Sequence, residues 1–255
     1  MSESERRQHI KRLLEGDRVW CAYALADLDP AEAERCIWLT NKEGVVLIYK
    51  GFDPAVLFAH GEPDMLHLLF DQVPSDNYLY TLKESSRKML DPNLEPVFEA
   101  RMWRMFLDRD KFPSLSITGV ERLGPDDLSA IQQLYGRYSD QPDAFQERQL
   151  AMGPFFGIRE NGEIISIAGV HIVSPWASVA AIGNVFTRPD RRGQGLATQT
   201  SAAVVEAVLE DGIDTIVLNV AMDNEPAIRC YENLGFTTHC DYYEGSGYFN
   251  LAQLS

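Results

Sequence analysis

The sequence predicts an α/β protein (α+β), with helices and strands interspersed along the chain. Three observations predict this class. Short runs of β-branched and aromatic residues recur along the chain between turn-forming residues, a pattern typical of paired strands. Between Pro125 and Tyr138, apolar residues recur at helical spacing, which predicts an amphipathic helix. The composition, 45% hydrophobic and 24% charged, is that of a folded globular protein.

The first half of the chain predicts mixed α and β structure. Its clearest signal is a hairpin, because Asn41-Lys42-Glu43-Gly44 separates two strand-like runs. The predicted strands are Val19–Leu25, Cys36–Thr40, Val45–Tyr49, Ala55–Ala59 and Tyr78–Leu82. The predicted helices are Ala31–Arg35 and Val97–Leu107.

The second half has a clearer order of elements. Asn161-Gly162 between two apolar runs predicts a second hairpin, and Gly235 predicts the end of the last helix. The predicted helices are Pro125–Tyr138, Leu196–Leu209 and Pro226–Asn233. The predicted strands are Phe155–Ile158, Ile164–Val170, Val179–Phe186, Asp214–Val220, Phe236–Tyr243 and Tyr248–Leu251.

A change in composition divides the chain near residue 113. Residues 116–255 contain no lysine, whereas the first half contains both lysine and arginine. The segment Asp108–Ser114 is charged and contains Pro113, as linkers often do. We therefore expect an N-terminal α/β domain at 1–113 and a second domain at 114–255, since 255 residues suffice for one large domain or two small ones.

Charge and hydropathy exclude several classes of function. The formal net charge of −15 would repel a phosphate backbone, so we expect no nucleic acid as a partner. No apolar run approaches the roughly 20 residues of a membrane span, and Met1–Arg12 lacks the apolar core of a secretory signal. The four cysteines, Cys21, Cys36, Cys230 and Cys240, show no metal-ligand spacing. We expect a cytoplasmic protein with free thiols, no membrane contact and no metal.

The strongest chemical signal is a glycine-containing turn between a predicted strand and a predicted helix. Arg191-Arg192-Gly193-Gln194-Gly195 separates the strand ending at Phe186 from the helix beginning at Leu196. Such a turn directs backbone N–H groups to one point at the positive end of a helix dipole, which favours a phosphate. It lacks the Gly-Lys-[Ser/Thr] of a Walker loop and the spacing of a dinucleotide fingerprint. A helix start without a ligand is the alternative.

A second motif follows in order. The stretch 223–236 contains Asn224, Ala227, Tyr231, Gly235 and Phe236 at the spacing Asn-x-x-Ala-x-x-x-Tyr-x-x-x-Gly-Phe. With the earlier Arg192-Gly193-Gln194-Gly195-Leu196-Ala197, which fits [Arg/Gln]-x-x-Gly-x-[Gly/Ala], the sequence over about 116–250 resembles the GNAT superfamily of acyl-CoA-dependent N-acyltransferases. The resemblance implies a mixed, mostly antiparallel sheet flanked by helices. It does not clearly extend to the first half.

The resemblance also implies residues that contact acetyl-CoA or another acyl-CoA. In the family, the strands before and after the loop splay apart, and the pantetheine arm lies between them. The implied contacts in this sequence are Val185, Phe186, Thr187, Arg192, Gly193, Gln194, Gly195, Leu196, Ala197, Thr198, Asn219, Asn224 and Tyr231. A backbone N–H near Val185 or Phe186 would polarise the thioester carbonyl. Asn224 has a simple alternative as a helix cap, a position that Asp223 also suits.

Tyr231 is the implied general acid, which protonates the departing thiolate. Its alternative is packing in the apolar stripe of its helix. The base is less clear, because Ala181–Phe186 has no acidic residue where many family members carry one. His171 on the preceding strand is the candidate base. Asp241, Glu244 or a water chain remain alternatives, and Asn184 is a candidate for orienting the substrate.

These features predict an N-acetyltransferase that moves an acetyl group from acetyl-CoA to a primary amine by direct attack in a ternary complex. The alternative is an acyl-CoA-binding regulatory or sensor module without turnover. We expect a small-molecule amine or amino-acid-like acceptor and a monomer or homodimer. The two-part layout resembles the glycine-N-acyltransferase-like branch of the superfamily. In that interpretation the first half is a degenerate copy of the fold, which forms a wall of the acceptor cleft or a dimer contact.

Overall fold

The first 107 residues alternate between α-helices and β-strands. The structure, a computed structural model, describes residues 2–115, 117–139, 142 and 145–250. The helices of this part are α1 (Glu3–Glu15), α2 (Ala22–Asp27), α3 (Pro63–Phe70) and α4 (Glu84–Met89). Its strands are β1 (Cys36–Thr40), β2 (Gly44–Tyr49), β3 (Ala55–Gly61), β4 (Asp76–Leu82) and β5 (Leu94–Leu107). A 3-10 helix, Pro30–Arg35, precedes β1.

The remainder of the chain has the same alternation with longer strands. Its strands are β6 (Val120–Leu123), β7 (Phe155–Glu160), β8 (Glu163–Ser174), β9 (Val179–Thr187), β10 (Thr215–Ala221) and β11 (Phe236–Phe249). Its helices are α5 (Leu128–Tyr135), α6 (Gln149–Met152), α7 (Leu196–Glu210) and α8 (Glu225–Asn233). Short 3-10 helices lie at Arg109–Lys111, Pro125–Asp127 and Pro189–Arg191.

The chain packs as two compact units. Unit 1 comprises Met1–Arg104 and His239–Ser255, and unit 2 comprises Met105–Thr238. The chain passes from one unit to the other within β5 and again within β11. The C-terminal segment therefore groups with the N-terminal residues. The division at 113/114, and the role of each half, stay predictions.

Unit 1 has a sheet in the order β1-β2-β3-β4-β11-β5. Its β3–β4 pair is parallel, whereas β1–β2, β2–β3 and β4–β11 are antiparallel. Every residue of β2 is buried, because helices cover the sheet. The core includes Leu57, Phe70, Tyr80 and Phe249, each at most 1% exposed.

Unit 2 has a sheet in the order β10-β9-β8-β7-β6. The β9–β10 pair is parallel and the other three pairs given by the register are antiparallel. Helix α7 packs on this sheet through Val204, Val205 and Val208, all fully buried. The predicted α/β class with a mixed, mostly antiparallel sheet is confirmed.

Both predicted hairpins are present. Strands β1 and β2 pair from Cys36↔Tyr49 to Thr40↔Val45, and β7 pairs with β8 across the Asn161-Gly162 turn. Asn161 and Gly162 have φ of 52° and 85°, the left-handed pair that a two-residue hairpin turn requires.

The run Val19–Leu25 is not a strand, and that prediction is wrong. Its first residues form a turn after α1, and the remainder begins α2. The segment is apolar on all sides and contains Ala22 and Ala24, so its helix propensity decides the conformation once neighbouring residues bury it. A short apolar run without alternation does not discriminate a buried strand from a buried helix.

The predicted helix Val97–Leu107 is also wrong, because these residues belong to β5. The partner that makes a strand favourable is distant in sequence. A Cβ on Gly247 of β11 would lie 2.6 Å from the carbonyl oxygen of Glu95, so this glycine allows the close approach of β5. Pairing with β11 outweighs the local helix preference of Glu, Ala, Arg and Met.

Smaller differences concern element ends. The predicted helix Pro125–Tyr138 is a 3-10 turn followed by α5, which ends before Gly136. The two last predicted strands are one continuous strand, β11, and Leu251 lies outside the described residues. Helices α1, α3, α4 and α6 and strand β6 are additional to the prediction. In the described part of the chain, no helix is long and apolar enough to cross a membrane.

Candidate functional site

Strands β9 and β10 of unit 2 separate along their length. Their parallel pairing runs from Val179↔Thr215 to Ile182↔Leu218 and then stops among the described residues. Beyond that point β9 continues to Thr187 and pairs with β8 on its other side. The separation leaves one backbone edge of β9 available to a ligand with amide groups. This is the splayed pair that the family resemblance implies.

A β-bulge at Asn184 accompanies the separation. Gly183 pairs with Gly169 and Phe186 with Ile167, so β9 has one residue more than β8 in this interval. Asn184 takes the left-handed conformation with φ 54°, which asparagine tolerates better than most residues. The bulge turns the backbone immediately before Val185, whose N–H is one of the two implied carbonyl-polarising groups.

Four neighbours hold Asn184 in this conformation. The Tyr135 hydroxyl donates to its carbonyl oxygen at 2.8 Å. The Asn184 side-chain amide donates to Gln149 Oε1 at 3.0 Å and to the Val170 carbonyl at 3.1 Å. The Asn184 backbone N–H donates to His171 Nε2 at 3.3 Å. Asn184 is only 2% exposed, so its amide group serves the bulge rather than the surface.

His171, the candidate base, lies against the same bulge. Because Nε2 accepts a backbone N–H, this contact requires the neutral ring with its proton on Nδ1. A Cβ on Gly183 would collide with the imidazole ring, so glycine is needed there for the ring to approach the backbone. Gln149 reinforces the arrangement by donating to the His171 carbonyl at 3.2 Å.

The glycine turn forms the start of α7. Gly193 and Gly195 both have φ 74°, a conformation that favours glycine, and α7 begins at Leu196. A Cβ at either glycine would meet nothing within 4 Å, so open space adjoins the backbone at both positions. The N–H groups of the first helical turn point out of the helix start. The turn has the shape and polarity of a phosphate site.

The arginines around the turn have different roles. Arg191 pairs with Glu160 at 2.6 Å and with Asp190 at 3.0 Å, and its hydrogen bond lowers the pKa of Glu160. These carboxylates offset much of its charge. Arg192 Nε instead donates to the Thr187 carbonyl at 3.0 Å, and its guanidinium carbon lies 5.5 Å from the centre of the Phe186 ring. Arg192 is therefore fixed across the turn, beside the end of β9.

Tyr231 lies on α8, and Asn224 immediately precedes this helix. Tyr231 is 8% exposed, its ring centre is 6.1 Å from that of Phe236, and burial raises its pKa. No described residue shares a hydrogen bond with its hydroxyl group. Asn224, rather than Asp223, caps the helix, because its Oδ1 accepts the Ala227 N–H at 3.2 Å. The cap uses only the oxygen of the amide.

One contact joins the helix of the glycine turn to the helix of Tyr231. Thr198 Oγ1 and Cys230 Sγ lie 3.2 Å apart. Burial raises the pKa of the Cys230 thiol, so it is protonated and weakly nucleophilic near neutral pH. Thr198 thus braces α7 against α8, in addition to its predicted contact with the cofactor.

The other candidate residues differ in position. Asn219 lies on β10 just beyond the last paired residue, Leu218, and is half-buried. Asp241 and Glu244 belong to unit 1, where Asp241 pairs with Arg101 and Glu244 accepts the Tyr242 hydroxyl at 3.0 Å. A cavity of about 490 Å³ in unit 2, lined by Arg122, Met152, Val173 and Asp211 among others, includes none of the predicted site residues.

Sequence reasoning missed two residues of the site. Tyr135 was recognised only as part of an apolar helix face, and Gln149 carried no signal. Both contact Asn184 across more than thirty residues of chain. Both residues matter to the site because they hold Asn184 at the bulge of β9.

Comparisons with known proteins find a family match over the residues that contain this site. Residues 126–236 match the family model described as "Acetyltransferase (GNAT) family". The mycothiol acetyltransferase of Corynebacterium aurimucosum is 35% identical over 82 residues, which cover 29% of this chain and 27% of that protein. The [ribosomal protein bS18]-alanine N-acetyltransferase of Escherichia coli is 30% identical over 91 residues, 34% of this chain and 60% of that protein. The match therefore spans only about a quarter of the length of the first relative and 60% of the length of the second.

A solved structure extends the likeness at the level of fold. A GNAT-family protein from Novosphingobium aromaticivorans has a TM-score of 0.64 with this chain at 22% identity, covering 88% of this chain and 96% of that one. At this identity the likeness shows a common fold. Enzymes of the GNAT family use acetyl-CoA. Residues 126–236, fewer than half of this chain, are therefore similar to the acetyltransferase (GNAT) family.

Proposed function

We propose that the protein is an N-acetyltransferase that transfers an acetyl group from acetyl-CoA to a primary amine by direct attack in a ternary complex. The observation that carries the proposal is the separation of β9 and β10 beside the glycine turn at the start of α7. An extended amide-bearing arm fits against an unpaired strand edge, and a pyrophosphate fits a helix start.

The residues of the turn fit the pyrophosphate of CoA. Both Gly193 and Gly195 leave open space beside the backbone, into which a phosphate can approach the N–H groups. The residues Arg192–Thr198 would hold it, with Arg192 adding positive charge from its fixed position. Bound acetyl-CoA supplies the activated acetyl group. Asn224 retains its amide NH₂ for the cofactor arm while its oxygen caps α8, and Asn219 lies beside the same strand gap.

The bulged backbone of β9 supports the polarisation of the thioester carbonyl. In the proposal, a backbone N–H at Val185 or Phe186 donates to the carbonyl oxygen and stabilises its developing negative charge. Loss of one such donor in an enzyme typically lowers the rate by about 10²–10³-fold. Because Asn184 immediately precedes Val185 and is held by four neighbours, the donor is preorganised.

Tyr231 is proposed to donate its proton to the departing thiolate. Burial raises its pKa, so the hydroxyl is protonated at neutral pH and has a proton to donate when the thiolate departs. His171 is proposed to act mainly as a positioning residue, since the nitrogen that would accept a proton already accepts the Asn184 N–H. The incoming amine then loses its proton to another group, for which a water chain is the candidate.

Relatives of this chain differ in the acceptors for which they are named. One relative is named for mycothiol and another for the alanine of a ribosomal protein, so similar domains serve acceptors of very different size. We propose a small amine or amino-acid-like acceptor, in keeping with the resemblance to the glycine-N-acyltransferase-like branch. The N-terminal half would form part of the acceptor cleft or a dimer contact.

Calorimetric titration with acetyl-CoA and CoA, followed by measurement of thiol release with pools of amines, tests the proposal. Micromolar binding and thiol release with one pool would support acetyl transfer and identify the acceptor class. Binding without release from any pool would favour the acyl-CoA sensor instead. Absence of binding would contradict both functions.

A further inference from the structure

We propose that unit 1 contains a binding site for a small carboxylate, held by the guanidinium group of Arg104 and the indole N–H of Trp20. The site is separate from the proposed acetyl-transfer site, and the proposal is independent of that function. It rests on two buried side chains that offer hydrogen-bond donors to which no described residue supplies an acceptor.

Arg104, on β5, is the first of these side chains. It is 1% exposed, and its Nε and Nη1 atoms are buried without a hydrogen-bond partner among the described residues. Three aromatic rings surround the guanidinium carbon, with centres 4.7 Å away for Tyr23 and 5.5 Å away for both Trp20 and Tyr242. The rings stabilise the positive charge through their faces but accept no hydrogen bond in the plane of the guanidinium group. A buried cation is normally paired with an anion that accepts its hydrogen bonds.

Trp20 is the second buried side chain with an unpartnered donor. It lies in the turn between α1 and α2, is fully buried, and its Nε1 likewise has no acceptor among the described residues. Its ring is held by Phe58 and Tyr242, with both centre-to-centre distances 5.3 Å. Six buried polar side-chain atoms lack a hydrogen-bond partner among the described residues, and three of these six belong to Arg104 and Trp20. The three atoms of Arg104 and Trp20 are all hydrogen-bond donors, and Arg104 is positively charged, so the complementary ligand is an anion.

The acidic side chains nearby are engaged with other donors. Asp17 accepts from Lys83 at 2.7 Å, from His239 at 2.7 Å and from the Trp20 backbone N–H at 3.2 Å. Glu244 accepts the Tyr242 hydroxyl at 3.0 Å. Neither supplies an acceptor to Nε or Nη1 of Arg104. A carboxylate fits these donors, because an anion with two acceptor oxygens makes charge-assisted hydrogen bonds to guanidinium N–H groups.

The test is a titration of the ¹⁵N-labelled full chain, followed by the indole N–H resonance of Trp20, one of four tryptophans. Acetate is added at constant ionic strength, with chloride as the balancing anion, and acetamide is the uncharged control of the same shape. We expect a saturable shift of the Trp20 resonance with acetate and none with acetamide. Arg104→Gln should weaken the binding at least about tenfold. Arg101→Gln, on the same strand but exposed and paired with Asp241, should leave it unchanged.

The comparison of acetate with acetamide needs only the unaltered protein, so the proposal can fail even if Arg104→Gln does not fold. No saturable shift with acetate, or an equal shift with acetamide, would overturn it. So would binding that persists undiminished in Arg104→Gln. An equal shift of the Trp20 resonance when chloride alone is titrated would mark an adventitious ion only and would equally overturn the assignment. If Glu244→Gln alone moves the Trp20 resonance and acetate does not, Arg104 is satisfied from within the chain and the proposal is wrong.

Discussion

The imidazole of His171 accepts the backbone N–H of Asn184 at 3.3 Å, and this contact couples β8 to the bulge of β9. The Asn184 N–H would otherwise lack a β-ladder partner at the bulge, where the register between the two strands shifts. A buried donor left without a partner is costly. The histidine therefore acts on the backbone geometry immediately before Val185, the position where the proposal requires a precise N–H.

Replacement of His171 separates a positioning role from a base role. His171→Phe removes the acceptor and should lower the unfolding free energy by about 1–3 kcal/mol, lower kcat, and leave CoA affinity nearly unchanged. His171→Gln offers an amide oxygen as acceptor but no titrating base. We expect it to restore much of the turnover, as measured by thiol release and urea denaturation. Full loss of turnover in both variants would favour the base role, and unaltered turnover in both would exclude either role. His67→Phe, on the exposed face of α3, is the control.

Tyr231→Phe should lower kcat by about 10²–10⁴-fold, the usual range for loss of a general acid. The ring still packs against Phe236, so the fold and the affinity for CoA should be retained. Thiol release gives kcat, and calorimetry gives the CoA affinity. Tyr248→Phe, at an exposed tyrosine in unit 1, is the matched control. A variant with full turnover would refute the acid assignment.

The pH dependence of turnover provides a further test of Tyr231. Burial raises its pKa above the ordinary value of about 10. The protonated, donating form therefore persists through the alkaline range, and Tyr231 should cause no fall in kcat between about pH 7.5 and 9.5. The measurement is kcat across this range at saturating substrates. The prediction would be contradicted by a fall in kcat within this interval that is present in the unaltered protein and absent from the residual turnover of Tyr231→Phe.

Two glycines at opposite ends of α7 allow a controlled test of the phosphate site. Gly195 precedes the helix and Gly212 follows it, with φ of 74° and 76°, and a Cβ at either would meet nothing within 4 Å. Glutamate at either position should therefore cost similar backbone strain, of order 1–2 kcal/mol. Gly195→Glu should in addition weaken CoA binding at least about tenfold, since it places a carboxylate where the pyrophosphate belongs. Equal CoA affinity of the two variants, measured by calorimetry, would contradict the site.

Local patterns were sufficient for many elements. The hairpin turns, the amphipathic α5 and the glycine turn before α7 each depend on residues within a short window, so periodicity and turn chemistry identify them. The order of strand, glycine turn, helix, strand and helix likewise predicted which segments form the site. Elements whose conformation depends on distant partners, such as β5 and the segment before α2, were predicted wrongly.

The sequence by itself determined the chemistry available: a glycine turn at a helix start, Asn224 and Tyr231 on one short helix, and a strand without an acidic residue. These are properties of residue type and spacing. Only the tertiary structure decided that β9 and β10 part after Ile182 and Leu218, that His171 and Tyr135 converge on Asn184, and that Arg104 is buried against Trp20. Each of these contacts joins residues far apart along the chain. Their energies arise from burial and from the pairing of polar groups in the folded state, and no local window contains both partners.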